Sequence, residues 1–144
     1  MFRSFHVNDI PQVYAIERLT QAAPWTEEIF RHCLHAGYIG WVLELDKQLI
    51  AFILVNLQGD ECHILNIAVR PEFQRQGRGR KLLEYALLNM QQQGANMAYL
   101  EVRRSNTRAI ALYEQLGFSL IGERKDYYPI FAGREDALVL AKGL

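Results

Sequence analysis

The hydrophobic and polar positions follow two different patterns in the two halves of the chain. In the first half, three apolar segments are separated only by short polar turns at Asp46-Lys47 and Gly59-Asp60. Apolar segments of this length joined by tight turns predict an antiparallel meander of three strands. These segments span residues 38–45, 48–57 and 62–69.

The second half begins with a helical pattern. From Gly79 onward, apolar residues recur at the spacing of one helix face, at Leu82, Leu83, Ala86, Leu87 and Met90. Gly94 ends this predicted helix, and residues 97–102 form a strand. Ser105 or Asn106 then caps a further helix, which ends at Gly117 in the C′ position. This succession predicts a strand–helix–strand unit within the sheet.

The two ends of the chain complete the predicted architecture. Residues 2–7 form a short strand, a helix begins near Asn8-Asp9, and Thr26 caps a second helix. Final strands at residues 118–123 and 137–141 are separated by a loop over 126–136. The expected fold is α/β (α+β), with a mixed, mostly antiparallel central sheet flanked by helices. Residues 1–144 are expected to form a single domain.

Composition limits the kinds of partner. Half of the 144 residues are hydrophobic, and 16 cations balance 16 anions, which argues weakly against non-specific binding to nucleic acid or membrane. Locally, however, five cations lie between Arg70 and Lys81. This clustering favours a small anionic ligand. No segment resembles a membrane span or a signal peptide, and only two cysteines are present, so we expect a cytoplasmic protein.

The stretch Gln74-Arg75-Gln76-Gly77-Arg78-Gly79 carries the strongest local signal. Two glycines at the start of a predicted helix allow an anion to approach backbone N–H groups, and the helix dipole favours negative charge there. The stretch lacks the lysine of a P-loop and the third glycine of a dinucleotide fingerprint. From the glycines alone, a basic turn that merely caps a helix is equally plausible.

This stretch resembles the Q/R-x-x-G-x-G/A signature of the GCN5-related N-acetyltransferase (GNAT) superfamily. Residues 106–118, from Asn106 to Phe118, are similar to that family's N-x-x-A-x-x-L-Y-x-x-x-G-F segment. The resemblance implies that acetyl-CoA is the co-substrate, with no metal. It also implies that the pyrophosphate is bound by Arg75, Gln76, Gly77, Arg78, Gly79 and Arg80. The pantetheine arm would contact Ile67, Ala68, Val69 and Asn106.

Three further stretches resemble one branch of the family, the bacterial ribosomal-protein-alanine N-acetyltransferases. They are residues 24–27, residues 100–103, and residues 127–129 followed by 133–137. This resemblance implies that the substrate is the N-terminal alanine of a small-subunit ribosomal protein, acetylated by direct attack of the amine on the thioester. It implies no nucleic-acid or membrane partner and says nothing of the oligomeric state.

Two residues are candidates for the chemistry. Acetyl transfer needs a neutral amine, and Glu101 matches the base of the family branch. From spacing alone, Glu101 could equally be a solvated strand residue paired with Arg103. Tyr113 matches the family's acid toward the leaving thiolate, although its spacing from Ile110 also fits a core tyrosine. Asn106 could similarly serve only as a helix cap.

Alternative functions remain open at this stage. The chain could acetylate lysine side chains, polyamines or other small amines, or it could be a non-catalytic acyl-CoA-binding regulatory module. Trp25, Tyr127 and Tyr128 could line a peptide groove or could pack beneath loops. Glu135-Asp136 could receive a basic substrate residue or could be solvated. We expect His32, Cys33 and His35 to lie on a surface helix rather than to form a metal site.

Overall fold

In residues 1–130 and 133–144, which the computed structural model describes, seven strands form one mixed sheet that is flanked by four α-helices. The strands are β1 Phe2–Ser4, β2 Ile39–Leu45, β3 Gln48–Gln58, β4 Glu61–Val69, β5 Met97–Arg103, β6 Ser119–Ile130 and β7 Gly133–Gly143. The helices are α1 Ile10–Thr20, α2 Glu27–His35, α3 Arg78–Gln92 and α4 Thr107–Gln115, with 3-10 turns at Val7–Asp9 and Pro71–Phe73. The strand order is β1-β2-β3-β4-β5-β7-β6, and only the β4–β5 pair is parallel.

The predicted sheet type and most predicted elements are confirmed. The three central apolar segments form the antiparallel meander β2–β3–β4, and α3 carries the predicted apolar face. Two predicted caps are present. The Thr26 hydroxyl accepts a hydrogen bond from the N–H of Ile29, and the Asn106 side chain accepts one from the N–H of Ala109, both at 3.2 Å.

Two predicted boundaries are wrong. The loop expected over 126–136 is largely strand, because β6 continues to Ile130 and β7 begins at Gly133, although residues 131–132 lie outside the described residues. An irregularity between Arg124 and Tyr128 interrupts the pairing of the two strands, and β6 lies at the sheet edge, where such breaks are tolerated. The first strand ends at Ser4, because residues 7–9 form a 3-10 turn.

Separate hydrophobic cores lie on the two faces of the sheet. Helices α1 and α2 cover one face, where Ile16, Phe30 and Phe52 are fully buried. Helices α3 and α4 cover the other face, where Leu83 and Ile53 are fully buried. Successive residues of β3 therefore alternate between two apolar environments, which explains its continuous apolar sequence.

Strands β4 and β5 pair only along their first halves. In the described residues their register runs from Glu61 opposite Met97 to Ile64 opposite Leu100. At that point the pairing of β3 with β4 shifts by one residue, which leaves Leu65 as an extra residue in β4. A bulge of this kind bends the strand that contains it. The carboxyl ends of the two parallel strands therefore separate and leave a gap in the sheet.

Candidate active site

Backbone polar groups of β4 face the gap between β4 and β5. The N–H of Arg70 donates to the carbonyl of Ile50 in β3 at 2.7 Å. Because residues of an antiparallel strand alternate in the direction of their N–H and C=O groups, Ala68 also points toward β3, whereas Ile67 and Val69 point into the gap. The gap therefore presents hydrogen-bonding groups of Ile67 and Val69 to an extended ligand, and Ala68 contributes only to its wall.

A cavity of about 480 Å³ extends from this gap to the N-terminus of α3. We call it the cationic cavity, because its wall includes Arg75, Arg78, Arg80 and Arg108. Among the described cavities it is the one that contains the glycine loop. The cavity brings together arginines from the glycine loop, from α3 and from α4.

The loop before α3 contains two residues in the left-handed backbone conformation. Gly77 has φ of 78°, and Arg75 is also left-handed at 63°. The first backbone hydrogen bond of α3 runs from the N–H of Lys81 to the carbonyl of Gly77 at 3.1 Å. The three N–H groups that precede Lys81 in the helix therefore have no intrahelical acceptor, which makes this helix end an anion site.

The predicted loop residues differ in their position at the cavity. The guanidinium of Arg78 lies over the ring of Phe73 at 5.3 Å, and its buried Nε has no hydrogen-bond partner among the described residues. Arg80 contacts Gln115 at 3.2 Å. Gln76 is exposed and lies outside the cavity wall. Gln74, which we did not predict as a site residue, fixes the loop by donating to the carbonyl of Val69 at 2.9 Å.

A second cavity of about 390 Å³ adjoins the first. We call it the aromatic cavity, because its wall includes Trp25, Tyr113, Tyr127 and Tyr128. The two cavities share the residues Gln21, Ile67, Asn106 and Tyr113. A ligand in the cationic cavity and a ligand in the aromatic cavity would therefore meet beside Tyr113.

Glu101 lies in the wall of the aromatic cavity. Its neighbours Leu100 and Val102 point into the core, so the alternation of β5 places the carboxylate on the opposite side. Glu101 contacts Nε of Arg124 on β6 at 3.1 Å. A carboxylate has two oxygens, so it can keep this contact and still accept a hydrogen bond from a ligand.

Tyr113 is a core tyrosine that also lines both cavities. Only 8% of the residue is exposed. Its ring makes an edge contact with that of Phe118, with 6.0 Å between the ring centres. Burial, and to a smaller extent the neighbouring Tyr128, raises the pKa of Tyr113 to about 12. Burial and the nearby Glu101 also raise the pKa of Tyr128 to about 12. Both phenols therefore remain protonated hydrogen-bond donors at neutral pH.

Two arginines hold the aromatic wall in place. The guanidinium of Arg103 lies 4.5 Å from the ring centre of Tyr128, and that of Arg124 lies 5.3 Å from the ring centre of Tyr127. Arg103 also contacts Glu135 at 3.1 Å. The hydroxyl and the N–H of Ser105 also donate to Glu135, so both of its oxygens already accept hydrogen bonds, and the structure does not support the suggestion that it receives a basic substrate residue.

Three polar residues of the cavity wall were missed by the sequence analysis. Glu17 of α1 is buried, and it accepts hydrogen bonds from the N–H of Trp25 and from Nδ2 of Asn66, both at 2.9 Å. Nε2 of Gln21 donates to Oδ1 of Asn66 at 3.3 Å. The sequence did contain a signal for Glu17. It lies four residues after Val13, so a charged residue falls on the apolar face of α1.

The histidines and the cysteine of α2 lie away from both cavities. Cys33 is packed in the core, and His32 and His35 lie at the surface of α2. No group of three potential metal-ligating side chains is found within residues 1–130 and 133–144. No helix in that part of the chain is long and apolar enough to cross a membrane.

Comparison with known proteins gives consistent results. Residues 7–118 match the model of the acetyltransferase (GNAT) family. The ribosomal protein bS18-alanine N-acetyltransferase of Escherichia coli (strain K12) is 41% identical over 138 residues, which cover 96% of this chain and 93% of that protein. The crystal structure of the ribosomal-protein-S18-alanine N-acetyltransferase from Escherichia coli has a TM-score of 0.95 and 40% identity, covering 99% of this chain and 92% of that one. Arabidopsis thaliana NAA60 in complex with acetyl-CoA has a TM-score of 0.88 at 18% identity, covering 100% and 98% of the two chains, which is a likeness of fold.

Proposed function

The chain belongs to the acetyltransferase (GNAT) family, and we propose that it transfers an acetyl group from acetyl-CoA to the N-terminal alanine of ribosomal protein bS18. One observation carries the proposal: a cationic cavity and an aromatic cavity meet at Tyr113, and a carboxylate lies in the wall of the second cavity. The names and the near-complete coverage of the E. coli relatives support the choice of substrate. A ribosomal protein is synthesised in the cytoplasm, and we place the reaction there.

The residues of the cationic cavity fit acetyl-CoA. The free N–H groups at the start of α3, together with Arg75, Arg78 and Arg80, would bind the pyrophosphate through charge-assisted hydrogen bonds. The unpartnered Nε of Arg78 supports this assignment, because a buried donor without an acceptor is costly unless a ligand supplies one. The backbone of Ile67 and Val69, and the side chain of Asn106, would bind the pantetheine arm.

Glu101 serves as the base. When bound, acetyl-CoA supplies the thioester carbonyl that the substrate amine attacks. An α-amino group has a pKa of about 8, so a large fraction is protonated at neutral pH and must lose a proton before attack. Glu101 accepts that proton, directly or through one water, from an amine held in the aromatic cavity. The backbone N–H groups of Ile67 or Val69, which point into the gap, would stabilise the oxyanion.

Tyr113 serves as the acid toward the departing sulfur. It lines both cavities, and we place its hydroxyl where the two ligands would meet. Because burial raises its pKa to about 12, the phenol keeps its proton at neutral pH and can donate it as a hydrogen bond while negative charge develops on the sulfur. Its buried ring holds the hydroxyl in a fixed position.

The substrate N-terminus would lie between the segment that joins α1 to α2 and strand β6. Trp25 forms one side of the aromatic cavity, and Tyr127 and Tyr128 form the other. A third cavity, of about 340 Å³, shares these three residues and Glu101, and it extends to the stacked rings of His63 and Tyr99. A groove that continues beyond Glu101 fits an extended peptide better than it fits a small amine.

The proposal is tested by thiol release from acetyl-CoA with a panel of acceptors. The panel contains an alanine-led bS18 peptide, the same peptide with an acetylated N-terminus, a lysine-containing peptide with a blocked N-terminus, and a polyamine. We expect release only with the free alanine-led peptide, and mass spectrometry should locate the acetyl group on its α-amine. Release with lysine or polyamine alone would contradict the proposed substrate. Binding of acetyl-CoA without release would contradict catalysis.

A further inference from the structure

Glu17 is a buried carboxylate with no cationic partner in the part of the chain that the structure describes. Only 1% of it is exposed, and the other charged residue that is comparably buried is Asp9, at 6%. Asp9 is neutralised by Arg3, at 2.9 Å. Glu17 instead accepts hydrogen bonds from two neutral donors, the N–H of Trp25 and Nδ2 of Asn66.

This arrangement is energetically unfavourable for the fold alone. Burial raises the pKa of Glu17, and the two hydrogen bonds only partly oppose the rise. Burying a carboxylate without a cationic partner costs free energy, because water solvates the group better than two neutral hydrogen-bond donors do. Packing of α1 therefore does not account for a carboxylate at this position.

The two oxygens of Glu17 connect two walls of the active site. Oε2 accepts from Trp25, in the segment between α1 and α2 that borders the aromatic cavity. Oε1 accepts from Asn66, which lies between the bulge at Leu65 and the cavity-facing backbone of Ile67. One rigid group thus fixes the distance between the wall that would hold the substrate peptide and the strand that would hold the pantetheine arm.

We propose that Glu17 is a positioning residue, which holds the Trp25 segment against β4 so that the substrate amine and the thioester meet in the geometry of attack. This inference rests on the proposed function. Glu17 acts through Trp25 and Asn66, and it takes no proton from the substrate. Effective positioning depends on distances of about 1 Å, and misplacement of that size can lower a rate about a hundredfold.

The direction of the hydrogen bonds provides a sharp test. In Glu17→Gln, the amide oxygen can still accept from Trp25, but the amide NH2 then faces the NH2 of Asn66. Asn66 cannot rotate without cost, because its Oδ1 accepts from Gln21. Adding Asn66→Asp restores every partner: the glutamine amide donates to one aspartate oxygen, and Gln21 donates to the other. The double variant therefore moves the charge from α1 to β4 and keeps the network.

We expect Glu17→Gln to lower kcat for the alanine-led peptide by about a hundredfold. The Kd for CoA should change less than about twofold, because the cationic cavity is intact. The melting temperature should change little, because removing the buried carboxylate offsets the lost hydrogen bond to Asn66. The double variant should recover most of kcat. Asp9→Asn is the matched control: it removes a buried carboxylate from an ion pair outside both cavities, so it should lower the melting temperature and leave kcat per folded enzyme unchanged.

Three outcomes would overturn the inference: kcat of folded Glu17→Gln close to that of the wild type, a loss of activity matched by loss of folded protein, or a folded double variant that does not recover. If Glu17→Gln fails to fold, Asn66→Asp alone and the double variant give the same comparison. Wild-type turnover with the alanine-led peptide tests the proposed function independently. If the wild type prefers another amine, the variants are compared with that amine.

Discussion

The glycine at position 77 allows the proposed pyrophosphate site to be tested separately from the stability of the loop. Gly77 has φ of 78°, and a Cβ added to it would meet no atom within 4 Å. Gly77→Ala should therefore cost only the left-handed backbone conformation, about 1–2 kcal/mol of unfolding free energy. For a chain of this size, that loss lowers the melting temperature by about 3–8 °C.

Gly77→Ala should raise the Kd for CoA by more than its loss of folding stability explains. A methyl group at Gly77 would stand in the open space beside the first N–H groups of α3, where the anion has to approach to hydrogen-bond distance. Loss of one charge-assisted hydrogen bond costs about 1.5–3 kcal/mol, which corresponds to about a 10- to 100-fold increase in Kd. Isothermal titration of the folded variant with CoA measures this increase directly.

Gly37 provides the matched control. It follows α2, has φ of 91°, and also has no atom within 4 Å of an added Cβ. Gly37→Ala should lower the melting temperature by a similar amount, and it should leave the Kd for CoA unchanged, because Gly37 lies outside the cationic cavity. An unchanged Kd in Gly77→Ala, or an equal increase in both variants, would refute the assignment of the loop as the pyrophosphate site.

Four further predictions concern the residues at the meeting point of the cavities. Glu101→Gln should lower kcat by about a hundredfold or more in steady-state assays while titration shows unchanged CoA affinity, and near-wild-type turnover would exclude Glu101 as the base. Tyr113→Phe keeps the ring contact with Phe118 but removes the hydroxyl, so kcat should fall about 10- to 100-fold with little change in melting temperature; a large loss of stability with normal kcat would instead indicate a purely structural tyrosine. Asn106→Ser keeps an N-cap acceptor but removes the amide, and we expect a higher KM for acetyl-CoA with unchanged circular dichroism, whereas an unaltered KM would leave Asn106 only its capping role. Because the folded-state pKa values of Tyr113 and Tyr128 are raised to about 12, the stabilisation they give is complete below the ordinary phenol pKa of about 10 and is lost as pH rises through 12; urea unfolding between pH 9 and 12 should show this loss, and Tyr113→Phe should reduce it.

Local features of the chain were predictable from the sequence. Helix α3 and its glycine loop depend on residues close together in sequence, since apolar spacing determines the buried face and Gly77 supplies the left-handed backbone. The caps at Thr26 and Asn106 are also local, and both are present. The arginines around the loop converge on one cavity for the same reason, because they belong to one turn and the helix that follows it.

Features that depend on distant pairing were not predictable in the same way. The segment 126–136 contains turn-forming and polar residues, yet its described parts are strand, because β6 pairs with β7 at the sheet edge. The partner of Glu101 is Arg124 on β6, and the two residues come together only because β5 and β6 both pair with β7. Glu17 was missed because its role depends on hydrogen bonds from Trp25 and Asn66. These two residues come close to it in space only when the chain folds.

The bulge at Leu65 connects the two halves of the site. Before it, Cys62 and Ile64 face the core beneath α3, whereas after it Ile67 and Val69 face that core. The positions that face this core therefore change from even to odd residue numbers. This change requires one extra residue between Ile64 and Ile67. The same change turns the following even-numbered positions of β4 toward α1, so Asn66 can reach Glu17. A single inserted residue thus opens the gap that would hold the pantetheine arm and directs the Asn66 side chain toward Glu17. A strand without it would place Asn66 beneath α3, where Glu17 could not reach it.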